Sequence, residues 1–290
     1  LWWHYTYTQD RQFLRDRAFA PLRDAVRFLA DYMQRPDARG TRLGDDRYHI
    51  FPTVSPELHG LTAKLDRNAD CLVDLTLTRF VFEAYQQAVA VLALHDDPAC
   101  GPLLAEVTAI LAKFPDYPTG ETARGPVWVS VPGESPETVY NVPNPTTPVF
   151  PGEEVTLDSP PERLALARRS WQNERNEGGN ELVFRAMQGA RLGLLDLEKF
   201  KRQVAYCLQP NHTATDMALT VHGRYGDWTP FDFMARMGIW FENFGLPAVL
   251  AECLLQSTNG KLRLWPNWPA GKPASFRRLR TVGAFLVSAE

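Results

Sequence analysis

Thr8-Gln9-Asp10-Arg11-Gln12-Phe13-Leu14-Arg15-Asp16-Arg17-Ala18-Phe19-Ala20-Pro21-Leu22-Arg23-Asp24-Ala25-Val26-Arg27-Phe28-Leu29-Ala30-Asp31-Tyr32-Met33-Gln34 is the stretch that decides the fold class. Leu14, Ala18, Leu22, Val26, Leu29 and Met33 recur every three to four residues, which winds them into one apolar stripe on a helix. Arg11, Arg15, Asp16, Arg23 and Asp24 fall on the opposite, wet side. The pattern predicts a helix that starts at Thr8 as N-cap and runs to about Gln34, with Pro36 and Gly40 ending it.

Working outward, the same period returns over about Asn68–Leu94, Gly101–Lys113, Pro161–Gln172, Asn180–Leu194, Leu197–Leu208 and Leu246–Gln256. Pro161 suits a first helical position, where the missing N–H is not needed. The segments between are long. Residues 115–161 hold eleven prolines together with many aromatic and apolar residues. That composition opposes disorder and reads as an ordered, functional loop, with Val127-Trp128-Val129-Ser130-Val131 as a short strand. After the Asn259-Gly260 turn the period changes to two over 261–265 and 283–287, as in strands. The expectation is a mainly α chain of helical hairpins set in a ring, whose loops at one end form the site, followed by a short β segment. No fixed-period repeat suggests a solenoid.

Composition narrows the function. The 290 residues carry 31 basic and 34 acidic side chains for a net charge of -3, and no clustered basic face points to nucleic acid. Arg277, Arg278 and Arg280 form the one dense basic run and read as a solvated strand edge. No apolar run reaches the length of a membrane span. Cys71, Cys100, Cys207 and Cys253 are far apart and read as buried thiols. The six His show neither HxH nor HxxxH spacing, so no metal is expected. No glycine pattern for a nucleotide and no GxSxG elbow occurs, and no cofactor is called for. The chain opens on Leu1-Trp2-Trp3 inside an apolar, helix-like stretch, which reads as a segment of a longer protein.

Eight Trp, nine Tyr and sixteen Phe offer platforms for sugar rings as well as core. Two carboxylates stand out. Glu57 follows Pro56 in a stiff loop with Tyr48, His49, Phe51 and His59 around it; an aromatic pocket there would raise its pKa and suit a general acid. The plainer reading is a turn carboxylate facing water. Glu242 lies among Trp240, Phe241 and Phe244, next to Asn243; its plainer reading is a capping anion at a helix start. Paired carboxylates on separate loops are what glycoside hydrolysis requires. His49, His59, His222, Trp228, Trp240 and Asn243 are the candidate sugar contacts, against structural roles in loops.

Several short stretches, in order, resemble the family 95 glycoside hydrolases, typified by α-L-fucosidases. They are the opening 1–14, Thr53-Val54-Ser55-Pro56-Glu57, Phe150-Pro151-Gly152-Glu153, Asn243-Phe244-Gly245, Ala251-Glu252-Cys253-Leu254-Leu255-Gln256-Ser257 and Leu264-Trp265-Pro266-Asn267-Trp268-Pro269. The resemblance implies an (α/α)6 helical toroid over residues 1–257, partial because its N-terminal helices precede Leu1, with a C-terminal β domain starting at 258. It also implies inverting cleavage of a terminal α-L-fucoside or related α-L-sugar such as an α-L-galactoside, an oligosaccharide or polysaccharide substrate, and secretion or a periplasmic location. In the family the Ser-Pro-Glu glutamate is the general acid, here Glu57. The base is an aspartate just before Gly-Asn-Phe-Gly; without a gap Phe241 occupies that position, and Glu242 is the replacement. Two further readings stay open. One is a carbohydrate-binding or degenerate barrel without turnover. The other is a polysaccharide lyase using Tyr140, Tyr225 or His222.

Overall fold

The computed structural model describes residues 1–38, 44–140, 142–176, 182–207 and 242–290. Helix α1 is Trp2–Thr8. A left-handed Gln9 separates it from the next helix, which Asp10 caps by accepting the Phe13 N–H at 2.8 Å. The N-cap is therefore Asp10 and not Thr8. The Thr8 hydroxyl instead donates to the His4 carbonyl, ending α1.

Helix α2 runs through Arg11–Phe13, Leu14–Ala18 and Phe19–Gln34. Its middle piece is a π turn, with the Phe19 N–H bonded to the Leu14 carbonyl. Pro21 explains it: proline lacks an N–H and its ring strikes the carbonyl four residues back, so the extra residue of a π turn relieves the clash. The apolar stripe survives, with Leu14, Ala18, Val26, Ala30 and Met33 buried.

Helices α3 (Leu72–Leu92) and α4 (Gly101–Ala112) form a hairpin, both packed on α2. The turn is made by Asp97, whose carboxylate accepts the Ala99 and Cys100 N–H groups. The core here is Leu75, Phe82, Tyr85, Val89, Val107 and Ile110. Strands β1 (Thr119–Thr122) and β2 (Gly125–Trp128) then pair antiparallel, so the predicted strand at Val127 begins and ends slightly earlier. Strand β3 (Val139–Tyr140) pairs parallel with β4 (Arg175–Asn176), which leaves helix α5 (Pro161–Asn173).

Helices α6 (Leu182–Arg191), α7 (Leu197–Cys207) and α8 (Glu242–Leu254) follow, α8 lying against α6. Strand β5 (Leu255–Thr258) succeeds α8 directly, so the helix expected to reach Gln256 stops at Leu254. It pairs with β6 (Lys261–Leu264) through Asn259-Gly260, both at positive φ as the turn demands. Strands β7 (Phe276–Arg280) and β8 (Leu286–Ala289) make a last hairpin. Cys71, Cys100 and Cys253 are buried free thiols. No helix of the described residues is long and apolar enough to cross a membrane.

The loops collect at one end. The Tyr48 N–H meets the Lys113 carbonyl beyond α4, and the Leu72 N–H meets the Ser130 carbonyl beyond β2. The β7–β8 hairpin touches α1, with Gly283 N–H on the Thr6 carbonyl.

Candidate active site

The Ser-Pro-Glu segment runs between the exit of α2 and the start of α3, and short polar side chains hold it from both sides. Asn68 is fully buried. Its amide donates to the Thr53 carbonyl at 2.7 Å and the Gly60 carbonyl at 3.2 Å, and its Oδ1 accepts the Thr62 N–H at 2.9 Å. One asparagine thus ties both ends of 53–60, supplying the backbone partners that an irregular buried loop lacks. From the facing loop, Asn144 Nδ2 donates to Ser55 Oγ at 3.3 Å and to the Pro56 carbonyl at 3.0 Å. The Ser55 and Ser130 hydroxyls share a hydrogen bond. Thr53 Oγ1 donates to Asp74, in the first turn of α3. Burial pushes the Asp74 carboxyl above the usual carboxylate range, against the opposing hydrogen bond from Thr53.

At the crest sits Glu57, exposed, with φ of 53°. A side chain in the left-handed region costs about 1–2 kcal/mol. Such a conformation persists when its surroundings over-determine it, and it concentrates at active sites. Among the described residues, the groups that hold its loop are the polar ones above.

His49 is buried, with Nδ1 2.5 Å from Asp70 Oδ2 and Nε2 2.7 Å from Asp45 Oδ1. Burial by itself would lower its pKa; the hydrogen bonds and charges of Asp70 and Asp45 outweigh that and raise it. Asp70 also accepts the Ile50 N–H at 3.0 Å, so the pair pins the loop near the start of α3. His59 is partly exposed. Its Nε2 lies 3.0 Å from Glu134 Oε1 and 3.2 Å from Arg67 Nη1. Glu134 is itself buried and takes the Tyr140 hydroxyl at 2.7 Å and the Ser130 N–H at 2.9 Å. Burial first, then the charge of Glu134, push the Tyr140 phenol far up, so it remains a donor.

Glu57, His49 and His59 therefore come together on one loop. Glu242 and Asn243 begin α8, their side chains outside the description; His222, Trp228 and Trp240 lie outside the described residues altogether. Gly245 lies inside α8. A Cβ there would come within 2.5 Å of Val183 Cγ1, so the glycine lets α8 approach the start of α6.

Sequence reasoning did not single out Asn68, Asp70, Asp74, Ser130, Glu134 or Asn144. The one signal was indirect: Ser130, Glu134 and Asn144 stand in the proline-rich 115–161 segment expected to be an ordered loop. Among the described residues no group of three or more His, Cys, Asp or Glu could hold a metal ion. A groove of about 720 Å³ between Trp265, Trp268 and Lys272 lies in the β segment, away from this cluster.

The chain is 28% identical over 282 residues to "Alpha-L-fucosidase 2" of Arabidopsis thaliana, an alignment that covers 93% of this chain and 30% of that relative's length. The family model for the glycosyl hydrolase family 95 catalytic domain matches residues 1–254, from α1 to the last residue of α8, and so takes in the Ser-Pro-Glu loop and every group that clamps it. The chain belongs to glycosyl hydrolase family 95.

Proposed function

We propose that the protein is an inverting exo-glycosidase that removes a terminal α-L-fucose, or a related α-L-sugar such as α-L-galactose, from an oligosaccharide or polysaccharide. Glu57 is the general acid and Glu242 the general base. The observation that carries the reading is Glu57 itself, an exposed carboxylate in a left-handed turn that is clamped by buried side chains. An acid must be held still relative to the bond it protonates, and the hydrogen bonds of Asn68 and Asn144 to the backbone of its loop do that.

Glu242 begins α8, where the helix dipole favours an anion. An inverting pair stands roughly 6.5–9.5 Å apart, leaving room for the attacking water. In this reading residues 1–257 are part of an (α/α)6 barrel whose open end is the loop cluster, and 258–290 begin a β domain. His59, His222, Trp228, Trp240 and Asn243 contact the sugar; His49, expected from sequence to do so too, is buried with both ring nitrogens on carboxylates and instead braces the loop. Proposed partners are glycans alone, neither nucleic acid nor membrane, and the proposed setting is secreted or periplasmic.

The test uses the natural full-length protein on aryl α-L-fucosides and α-L-galactosides, with Glu57→Gln and Glu242→Gln. Each substitution is expected to lower kcat by about 10²–10⁴. The Glu57→Gln loss should shrink as the leaving group becomes more acidic, because a good leaving group needs no proton; the Glu242→Gln loss should not. The first sugar released should have the inverted anomeric configuration by NMR. Wild-type turnover by Glu57→Gln of a substrate with a poor, weakly acidic leaving group removes it as the acid, and undiminished turnover in Glu242→Gln places the base elsewhere.

A further inference from the structure

Glu134 is a buried carboxylate on a different loop from Glu57, and three donors converge on it: the Ser130 N–H, the Tyr140 hydroxyl and His59 Nε2. An ionised carboxylate is acceptor-only, so it demands hydrogens from all three. Two of them always supply one. The third, imidazole Nε2, does so in only one neutral tautomer. Arg67 competes for the same nitrogen, 3.2 Å away, and would favour the bare form that accepts. The contest is unequal. Arg67 is exposed and water replaces a lost bond there at little cost. The Glu134 side chain is fully buried, so a bare Nε2 lone pair against it would leave a charge unsatisfied where water cannot reach. The Nε2–H form wins, and Nδ1 is left as an acceptor.

We propose that Glu134 is a positioning residue which fixes His59 as the Nε2–H tautomer, so that Nδ1 accepts a hydrogen bond from one hydroxyl of the sugar served by Glu57. This rests on the reading of the Glu57 loop as the sugar site. His59 lies two residues from Glu57, and both are tied to the same frame: Ser130, whose N–H Glu134 holds, shares its hydroxyl bond with Ser55. Glu134 thus sets the imidazole and supports the turn carrying the acid. Among the described residues Nδ1 has no protein partner.

The experiment measures binding, which does not depend on turnover. The affinities of L-fucose and its 2-, 3- and 4-deoxy analogues are taken by calorimetry for the full-length protein, Glu134→Gln, Glu134→Asp and His59→Ala, with aryl fucoside hydrolysis by Glu57→Gln alongside. One deoxy analogue should bind wild type about tenfold more weakly than L-fucose through loss of the His59 bond. His59→Ala and Glu134→Gln should erase that one difference and keep the others; Glu134→Asp, which remains an anionic acceptor, should restore part of it. A merely structural Glu134 would weaken all four sugars alike, and that outcome overturns the proposal. So does His59→Ala that keeps the full pattern, even if Glu134→Gln fails to fold. If the pattern is erased as expected while Glu57→Gln hydrolyses a fucoside with a weakly acidic leaving group at the wild-type rate, the acid assignment fails and the positioning role stands. Absence of binding by all four sugars overturns both.

Discussion

His49 shows how a single residue in this loop couples structure to pH. Its folded pKa is raised above 6.5 because the hydrogen bonds and charges of Asp70 and Asp45 outweigh burial. A raised folded pKa means that its stabilisation is fully present below 6.5 and is lost as pH rises through the raised value. Asp45 moves the other way, held below 3.8 chiefly by its hydrogen bond with His49, so its share disappears only as pH falls through that lowered value. The brace is therefore strongest in mildly acid solution. His49→Gln is expected to cost about 1–3 kcal/mol there, since it leaves buried Asp70 short of a donor. Thermal melts of the two proteins should differ most below about pH 6.5 and draw together as pH rises through the raised value; a difference that stays flat with pH rules the charged brace out. Glu57 and the two histidines were legible as candidates in sequence because a Pro-flanked loop advertises itself. The groups that clamp them were not. Asn68, Glu134 and Asn144 lie 11, 77 and 87 positions from Glu57 in the numbering of the chain, and no short-range spacing marks an asparagine that will find its carbonyls across a loop.

Among the elements, α8 is the one on which the proposed base depends. Periodicity found most helices to within a few residues, because a buried stripe dictates its own period. It misjudged two ends for local reasons: Asp10 outcompeted Thr8 as a cap, and Leu255-Gln256-Ser257-Thr258 was recruited into a ladder with 261–264. Gly245 shows the same limit, since its part is close packing that no local pattern marks. A methyl group there meets Val183, whose Cβ is only 3.2 Å from the ideal Cβ position. Valine in a helix has one favoured rotamer and cannot swing aside, so α8 must back away from α6. Gly245→Ala is expected to cost about 1–3 kcal/mol as an overpacking change. It should also lower kcat more than it raises KM, because it displaces the helix that begins at Glu242 from the Glu57 loop. Val183→Ala should restore both. If Gly245→Ala melts and turns over like wild type, the close approach of α6 and α8 is not needed.

For the whole molecule, the order of helices and long loops was enough to expect hairpins with their loops at one end, and the contacts of 44–71 with 113–144 follow that pattern. What sequence could not give is the link between the helices and the β segment, because it depends on a charge cluster assembled from distant parts around buried Arg191. Arg191 at the end of α6 donates Nε to Glu252 of α8 at 2.7 Å and Nη2 to Glu153 at 3.1 Å, and it lies over the Phe150 ring. Burial opposes its charge, yet Glu252 and Glu153 raise its pKa overall. The cluster borders a cavity of about 320 Å³ that Trp3 and Tyr7 of α1 and Arg280 of β7 also line, so α1, α6, α8 and the β hairpin all meet there. Removing one partner of such a pair is worse than removing both. Arg191→Leu leaves Glu252 in a site only 13% exposed without its cation, and is expected to cost about 3–5 kcal/mol. Adding Glu252→Leu should recover much of that loss, since two apolar side chains can fill the same volume with no stranded charge. Denaturant unfolding of the single and double variants reads the coupling directly. Additive losses would show that Arg191 and Glu252 stabilise the protein independently and that the junction is held by its aromatic packing instead.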